Sequence, residues 1–146
     1  MVEIREKKYL ILFLTVALGT IFLDQLTKYY IALKRPEWNL GFLSVHFVHN
    51  TGAGFGILKG QMEILAIISA VVVMGVIYYY HKIPQEKWAQ ALLGLFLGGV
   101  AGNLLDRIFR RYVIDFIDVG FWPVFNIADA AISISVIGLL LYFWRE

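Results

Sequence analysis

Three aspartates, Asp115, Asp118 and Asp129, stand in VIDFIDVGFWPVFNIADAA (residues 113–131), where most neighbours are apolar or aromatic. Asp129 is followed by AAISISVIGLLLYFW, which carries no charge before Arg145. A carboxylate in hydrocarbon is costly unless paired or protonated, so its presence there points to function. Pro123 stops the preceding segment, and Asn126 is placed to cap a helix. Asp129 then falls in that helix's first turn, where the dipole favours negative charge. That role accounts for one acid and leaves Asp115 unexplained, before a turn able to return it toward Asp129. Two carboxyls from separate segments can share one proton, because like charges a few ångströms apart do not both ionise easily. Such a pair holds a base and an acid at once, which is what activating water against a peptide carbonyl requires.

The elements that must position these acids are membrane helices. The chain has 146 residues, 60% hydrophobic and 16% charged, with a mean hydropathy of +0.71. Soluble domains are nearer 45–50% apolar and about 25% charged. Four stretches are long enough to cross the roughly 30 Å of hydrocarbon: residues about 9–33, 62–80, 88–109 and 126–144. One domain is expected over 1–146. Asp24 and Lys28 lie inside the first stretch and no small-residue cleavage pattern follows it, so it reads as a retained span rather than a signal peptide. After Pro36, LSVHFVHN reads as extended, with Leu43, Val45 and Phe47 on one side. NTGAGFG (50–56) is a glycine-rich bend, and RRYVIDFIDVGFWP is β-leaning.

A net charge of +2 with no long basic run gives no sign of nucleic acid binding. The absence of cysteine excludes disulfides and a thiolate nucleophile. Orientation follows the Lys/Arg bias, and here it ties. Arg5, Lys7, Lys8, Lys82, Lys87 and Arg145 fall on one side; Lys34, Arg35, Lys59, Arg107, Arg110 and Arg111 fall on the other. The cluster before the first span favours a cytoplasmic N-terminus.

Asp24 and Lys28 in DQLTK are one helical turn apart, an ion pair that tethers helices or orients substrate. GLFLGGVAGNLLDR carries Gly94, Gly98 and Gly102 at four-residue spacing, which lets helices approach closely. Asn103 and Asp106 share a face at the end of that helix, and Arg107 is expected to pair with Asp106 or Asp115. His46 and His49 are three apart on an extended segment and point to opposite faces, so they make a poor metal pair. A transporter would also use intramembrane Asp and Lys, but the halves show no inverted repeat. A non-catalytic assembly factor would need only the glycine face and the ion pair.

FLDQLTK, HNTGAGFG, GGVAGNLLDR, VIDF and FNIAD, in this order, closely resemble the bacterial lipoprotein signal peptidase (signal peptidase II) family, over most of the chain. The resemblance implies an aspartic intramembrane peptidase with Asp115 and Asp129 as the dyad. It cleaves lipidated prolipoproteins just before the diacylglyceryl-modified cysteine. Asp24, Lys28, Asn50, Gly52, Asn103, Asp106, Arg107, Asn126 and Ala128 fall on the family's other positions around the site. Lys28, Asn50 and Arg107 are expected to hold substrate carbonyls. The family usually has glycine where Arg111 stands and alanine where Gly54 stands; a positive φ at 111 would strain an arginine. The expected fold is a membrane all-α bundle of four transmembrane helices, with a small extracytoplasmic β-like platform from residues about 37 to 57. No metal or cofactor is required, because the dyad supplies acid and base. The resemblance further implies a monomer in the bacterial cytoplasmic (inner) membrane, with both termini cytoplasmic and the site near the extracytoplasmic face.

Overall fold

The computed structural model describes residues 2–144, with side chains from residue 7 onward. The side chains of Arg5 and Arg145, two of the charges weighed for orientation, lie outside those described. Helix α1 spans Val2–Lys34 and is followed by strands β1 (Trp38–Asn39) and β2 (Ser44–Asn50). Helices α2 (Met62–Tyr79) and α3 (Lys87–Phe109), strand β3 (Val113–Asp118) and helix α4 (Ile127–Trp144) complete the chain. All four helices are long and apolar enough to cross a membrane. Helix α1 begins several residues before the apolar stretch, because Glu3, Arg5, Glu6, Lys7 and Lys8 are good helix formers that hydropathy does not register.

Helix α3 is central, in contact with α1, α2 and α4. Its glycines make that possible. A Cβ added at Gly98 would lie 2.7 Å from the Ala17 carbonyl oxygen of α1, and one at Gly99 would lie 2.6 Å from the Ala128 carbonyl oxygen of α4. Both contacts are with backbone, so neither could be relieved by a rotamer change. Phe13, Ala17, Tyr80, Leu93 and Leu97 form one apolar core between α1 and α3.

The platform is larger than the segment 37–57. Its three antiparallel strands run in the order β1-β2-β3, so its third strand comes from beyond α3. Val48 pairs with Asp115 and Val45 with Ile117, with an irregularity between them. Phe125 pairs back onto Ile117, which turns the chain toward α4. Ile114 and Phe116 of β3 pack with Ile31 near the end of α1. This second core seats the sheet on one end of the bundle and fixes the height of Asp115 between them.

Candidate active site

Asn126 joins the two segments that carry Asp115 and Asp129. Its side-chain oxygen accepts the Asp129 N–H at 2.9 Å, and its own N–H donates to Asp129 Oδ2 at 3.2 Å. This reciprocal cap satisfies two backbone donors at the start of α4. It also locks the Asp129 side chain against the helix terminus. The Asn126 amide nitrogen donates to Asp115 Oδ1 at 2.8 Å, to Asn103 Oδ1 at 3.1 Å and to the Ile114 carbonyl at 3.3 Å.

Asp115 is buried on β3. Its second oxygen accepts from Asn50 Nδ2 at 2.7 Å. Asn50 in turn accepts the Gly52 N–H at 2.8 Å, which shapes the glycine-rich bend. A Cβ at Gly52 would come within 3.1 Å of the Ile57 carbonyl oxygen, so the bend is closely packed. Burial, and then the negative charge of Asp129, push the Asp115 carboxyl up to about 7; the amides of Asn50 and Asn126 and the charge of Lys28 oppose that rise. Asp115 therefore keeps its proton to a higher pH than an ordinary aspartate. Asp129 accepts from Asn103 Nδ2 at 2.8 Å as well as from the Asn126 N–H, in a half-exposed position.

Behind this pair lies a buried ionic cluster. The Lys28 ammonium meets Asp24 at 2.8 Å, Asp106 at 3.0 Å and the Asn103 side-chain oxygen at 2.9 Å. An ammonium has three N–H donors, and all three are engaged. Lys28 is thus buried with its charge shared among Asp24, Asp106 and Asn103. With its oxygen turned to Lys28 and Asn126, Asn103 presents its amide hydrogens to Asp129. Asp24 accepts the Ala128 N–H at 2.9 Å, tying α1 to the first turn of α4. Asp106 also pairs with Arg110 and accepts the Ile114 N–H at 3.2 Å. Gln25 closes the network, donating to Asp106 at 3.1 Å and accepting from Arg110 at 2.9 Å.

Arg107 does not take the partner expected for it. Neighbouring helical residues point about 100° apart: Asp106 faces α1, whereas Arg107 donates to Ser69 Oγ of α2 at 3.1 Å. Its charge still acts on Asp129, Asp106 and Asp115. Arg107, Asn50, Gly52, Asn103, Asp115 and Asp129 all line one cavity of about 560 Å³. Phe55 and Trp122, with ring centroids 5.1 Å apart, stand on the same wall. Asp118 lies elsewhere: it accepts the Gly120 N–H and sits 3.9 Å from His46. His49 stacks on Tyr112 at 3.9 Å instead of joining His46.

A family model described as Signal peptidase (SPase) II matches residues 16–145. The chain belongs to the signal peptidase II family. It is therefore a peptidase and a multi-pass membrane protein. A protein of Halothermothrix orenii named lipoprotein signal peptidase is 36% identical, covering 90% of this chain and 94% of its own. One of the same name from Teredinibacter turnerae is 42% identical, over 88% and 83%. A bacterial membrane enzyme solved by the in meso method at 2.3 Å resolution superposes with a TM-score of 0.85, at 30% identity, over 91% of this chain and 87% of the other. A second such structure, at 1.9 Å resolution, gives 0.83 and covers 92% and 93%.

Of the residues singled out in the sequence, Asp115 and Asp129 face one cavity with Asn50, Gly52, Asn103 and Arg107. Asn126 lies directly beneath the two acids, while Asp24, Lys28, Asp106 and Ala128 form a layer behind. Sequence reasoning passed over Gln25, Ser69 and Arg110. Arg110 had a local signal, since it follows Asp106 by one helical turn. Gln25 and Ser69 had none, because their partners lie on other helices.

Proposed function

We propose that this chain is an aspartic endopeptidase that removes the signal peptide of diacylglyceryl-modified prolipoproteins, cutting just before the lipidated cysteine. The observation that carries the reading is the pair of acids in one cavity, held differently. Asp129 accepts two N–H bonds in the first turn of α4 and faces the cavity. Asp115 is buried on a strand beside the Asp129 charge, which favours the acid. Asp129 takes a proton from a water as the water oxygen bonds to the scissile carbonyl carbon. Asp115 gives its proton to the carbonyl oxygen. The tetrahedral intermediate then collapses: the C–N bond breaks, the proton on Asp129 passes to the leaving nitrogen, and one hydroxyl returns its proton to Asp115 as the carbonyl re-forms. Arg107, facing the cavity from α3, offers positive charge where the oxygen gains negative charge.

The substrate enters with its acyl chains in lipid, and the same helices that bury the site set the depth of the scissile bond. The protein works as a monomer in the bacterial cytoplasmic membrane, with both termini cytoplasmic and the sheet on the outer face. Even with no metal or cofactor, the acid and base are both supplied. The test compares turnover of matched precursors with and without the diacylglyceryl group, in the same micelles at saturation. A misplacement of about 1 Å can cost around a hundredfold, so the unlipidated peptide should turn over far more slowly. Equal turnover would identify a general intramembrane protease instead.

A further inference from the structure

Two turns at one end of the sheet repeat a pattern. Asn39-Leu40-Gly41-Phe42 joins β1 to β2, and Asp118-Val119-Gly120-Phe121 leaves β3. In the first, the Asn39 side-chain oxygen accepts the Gly41 N–H at 2.9 Å; in the second, Asp118 accepts the Gly120 N–H at 2.8 Å. Gly41 and Gly120 have φ of 86° and 80°, a region that glycine occupies without a Cβ penalty. Each glycine is followed by a phenylalanine held in the open: Phe42 is 84% and Phe121 88% exposed. The strand register sets the turns side by side, since Asn39 pairs with Ser44 and Ser44 with Asp118. At about 4.8 Å per strand, the two turns start within roughly 10 Å of each other.

Leaving a phenylalanine in water forgoes the favourable free energy of burying it, and here it happens twice at one sheet end. The surroundings indicate what covers the pair. Trp38 of β1 lies against Tyr30 of α1, with ring centroids 6.4 Å apart. Tyr30, Leu26 and Leu33 belong to the exposed apolar surface of that span, and Leu40 of the first turn is exposed as well. Apolar surface thus runs from the lipid-facing side of α1 through Trp38 and Leu40 to the turn tips. Trp and Tyr favour the membrane–water boundary, and phenylalanine on the apolar side of an interfacial segment enters the headgroup–acyl boundary. A second copy of the chain fits less well: a stable interface buries about 800 Å² per partner, and a phenylalanine supplies only about 200 Å².

We propose that the twin turns are a bilayer anchor, with Phe42 and Phe121 inserted at the headgroup–acyl boundary of the membrane that α1 crosses. The anchor holds the outer end of the sheet down. Asp115 lies on β3 three residues before Asp118, so anchoring that end fixes the depth of Asp115 relative to lipid. The proposal rests on the membrane-spanning assignment and not on the peptidase mechanism.

The native chain has no cysteine, so Phe42→Cys and Phe121→Cys each accept a nitroxide label without background. Each variant keeps the other phenylalanine, and a melting curve matching the parent's establishes that it is folded. In vesicles of phosphatidylcholine and phosphatidylglycerol, power saturation compares collisions with oxygen and with a water-soluble nickel chelate. The anchor predicts that oxygen dominates at both positions. Dominance of the nickel chelate at either position would place that turn in water and overturn the proposal. Protection from both reagents would overturn it in favour of a protein partner. Neither outcome depends on cleavage, so a failure of the peptidase reading leaves this test intact.

Discussion

Asp115→Asn should change how stability depends on pH, in a direction set by the site. The ordinary aspartate value is 3.8, and burial with the Asp129 charge raises Asp115 to about 7. Between those values the folded protein binds more protons than the unfolded chain, so this carboxyl makes stability fall as pH rises from about 4 through about 7. A difference of roughly three units at about 1.4 kcal/mol each is on the order of 4 kcal/mol. Asparagine cannot ionise, so the variant lacks that slope. It also carries a fixed cost. Asn50 and Asn126 both donate to the Asp115 oxygens, and an amide NH₂ at 115 would set a donor against one of them, costing about 1–3 kcal/mol at any pH. The variant is therefore expected to be less stable than the parent near pH 4, and to gain on it by roughly 4 kcal/mol by pH 8. Denaturant unfolding of both proteins in one detergent across that range makes the measurement, and the other acids cancel in the difference. Parallel curves would refute the reasoning, because Asp115 would then ionise in the folded protein as it does in the unfolded chain.

Arg111 has a φ of 64° just past the end of α3, so Arg111→Gly should stabilise by about 1 kcal/mol. Its ion pair with Glu63, at 3.6 Å between exposed side chains, offsets little of that gain, and a raised melting temperature checks it. Lys28→Met removes the cation shared by Asp24 and Asp106 and should destabilise by about 3–5 kcal/mol, read by thermal melting in detergent. Gly98→Ala sets a Cβ 2.7 Å from the Ala17 carbonyl oxygen. The α1–α3 contact must then open, at about 1–3 kcal/mol, again read by melting. Asp129→Asn removes the lesser of the two causes that raise Asp115. The Asp115 carboxyl resonance should then titrate lower than in the parent but still above its ordinary value, because burial remains; NMR of that carboxyl carbon checks it.

Helix positions were legible because apolar runs of span length have few other readings, and the Asn126 cap because it is local to FNIAD. Partners across helices were not. Asp106 and Arg107 are adjacent in sequence, yet the helical rotation between them sends one to Lys28 of α1 and the other to Ser69 of α2. The side of α3 that faces each helix is set by glycine contacts such as Gly98 on Ala17 and Gly99 on Ala128. Gly94, Gly98 and Gly102 all meet α1, as their four-residue spacing predicts, whereas Gly99, outside that series, meets α4. The third strand escaped for a similar reason: VIDFID was visibly β-leaning, but its pairing with SVHFVHN closes a loop that contains two whole helices. Arg111 is the opposite case, since the resemblance suggested a glycine there and the structure has a positive φ at that position.

The central claim is that Asp115 and Asp129 perform the chemistry, and its most direct test is cleavage of a lipidated precursor by Asp115→Asn and Asp129→Asn, each followed by gel shift. Asparagine nearly matches aspartate in shape, so both variants should insert and fold while cleaving no precursor. A near-parental rate from either folded variant would contradict the account.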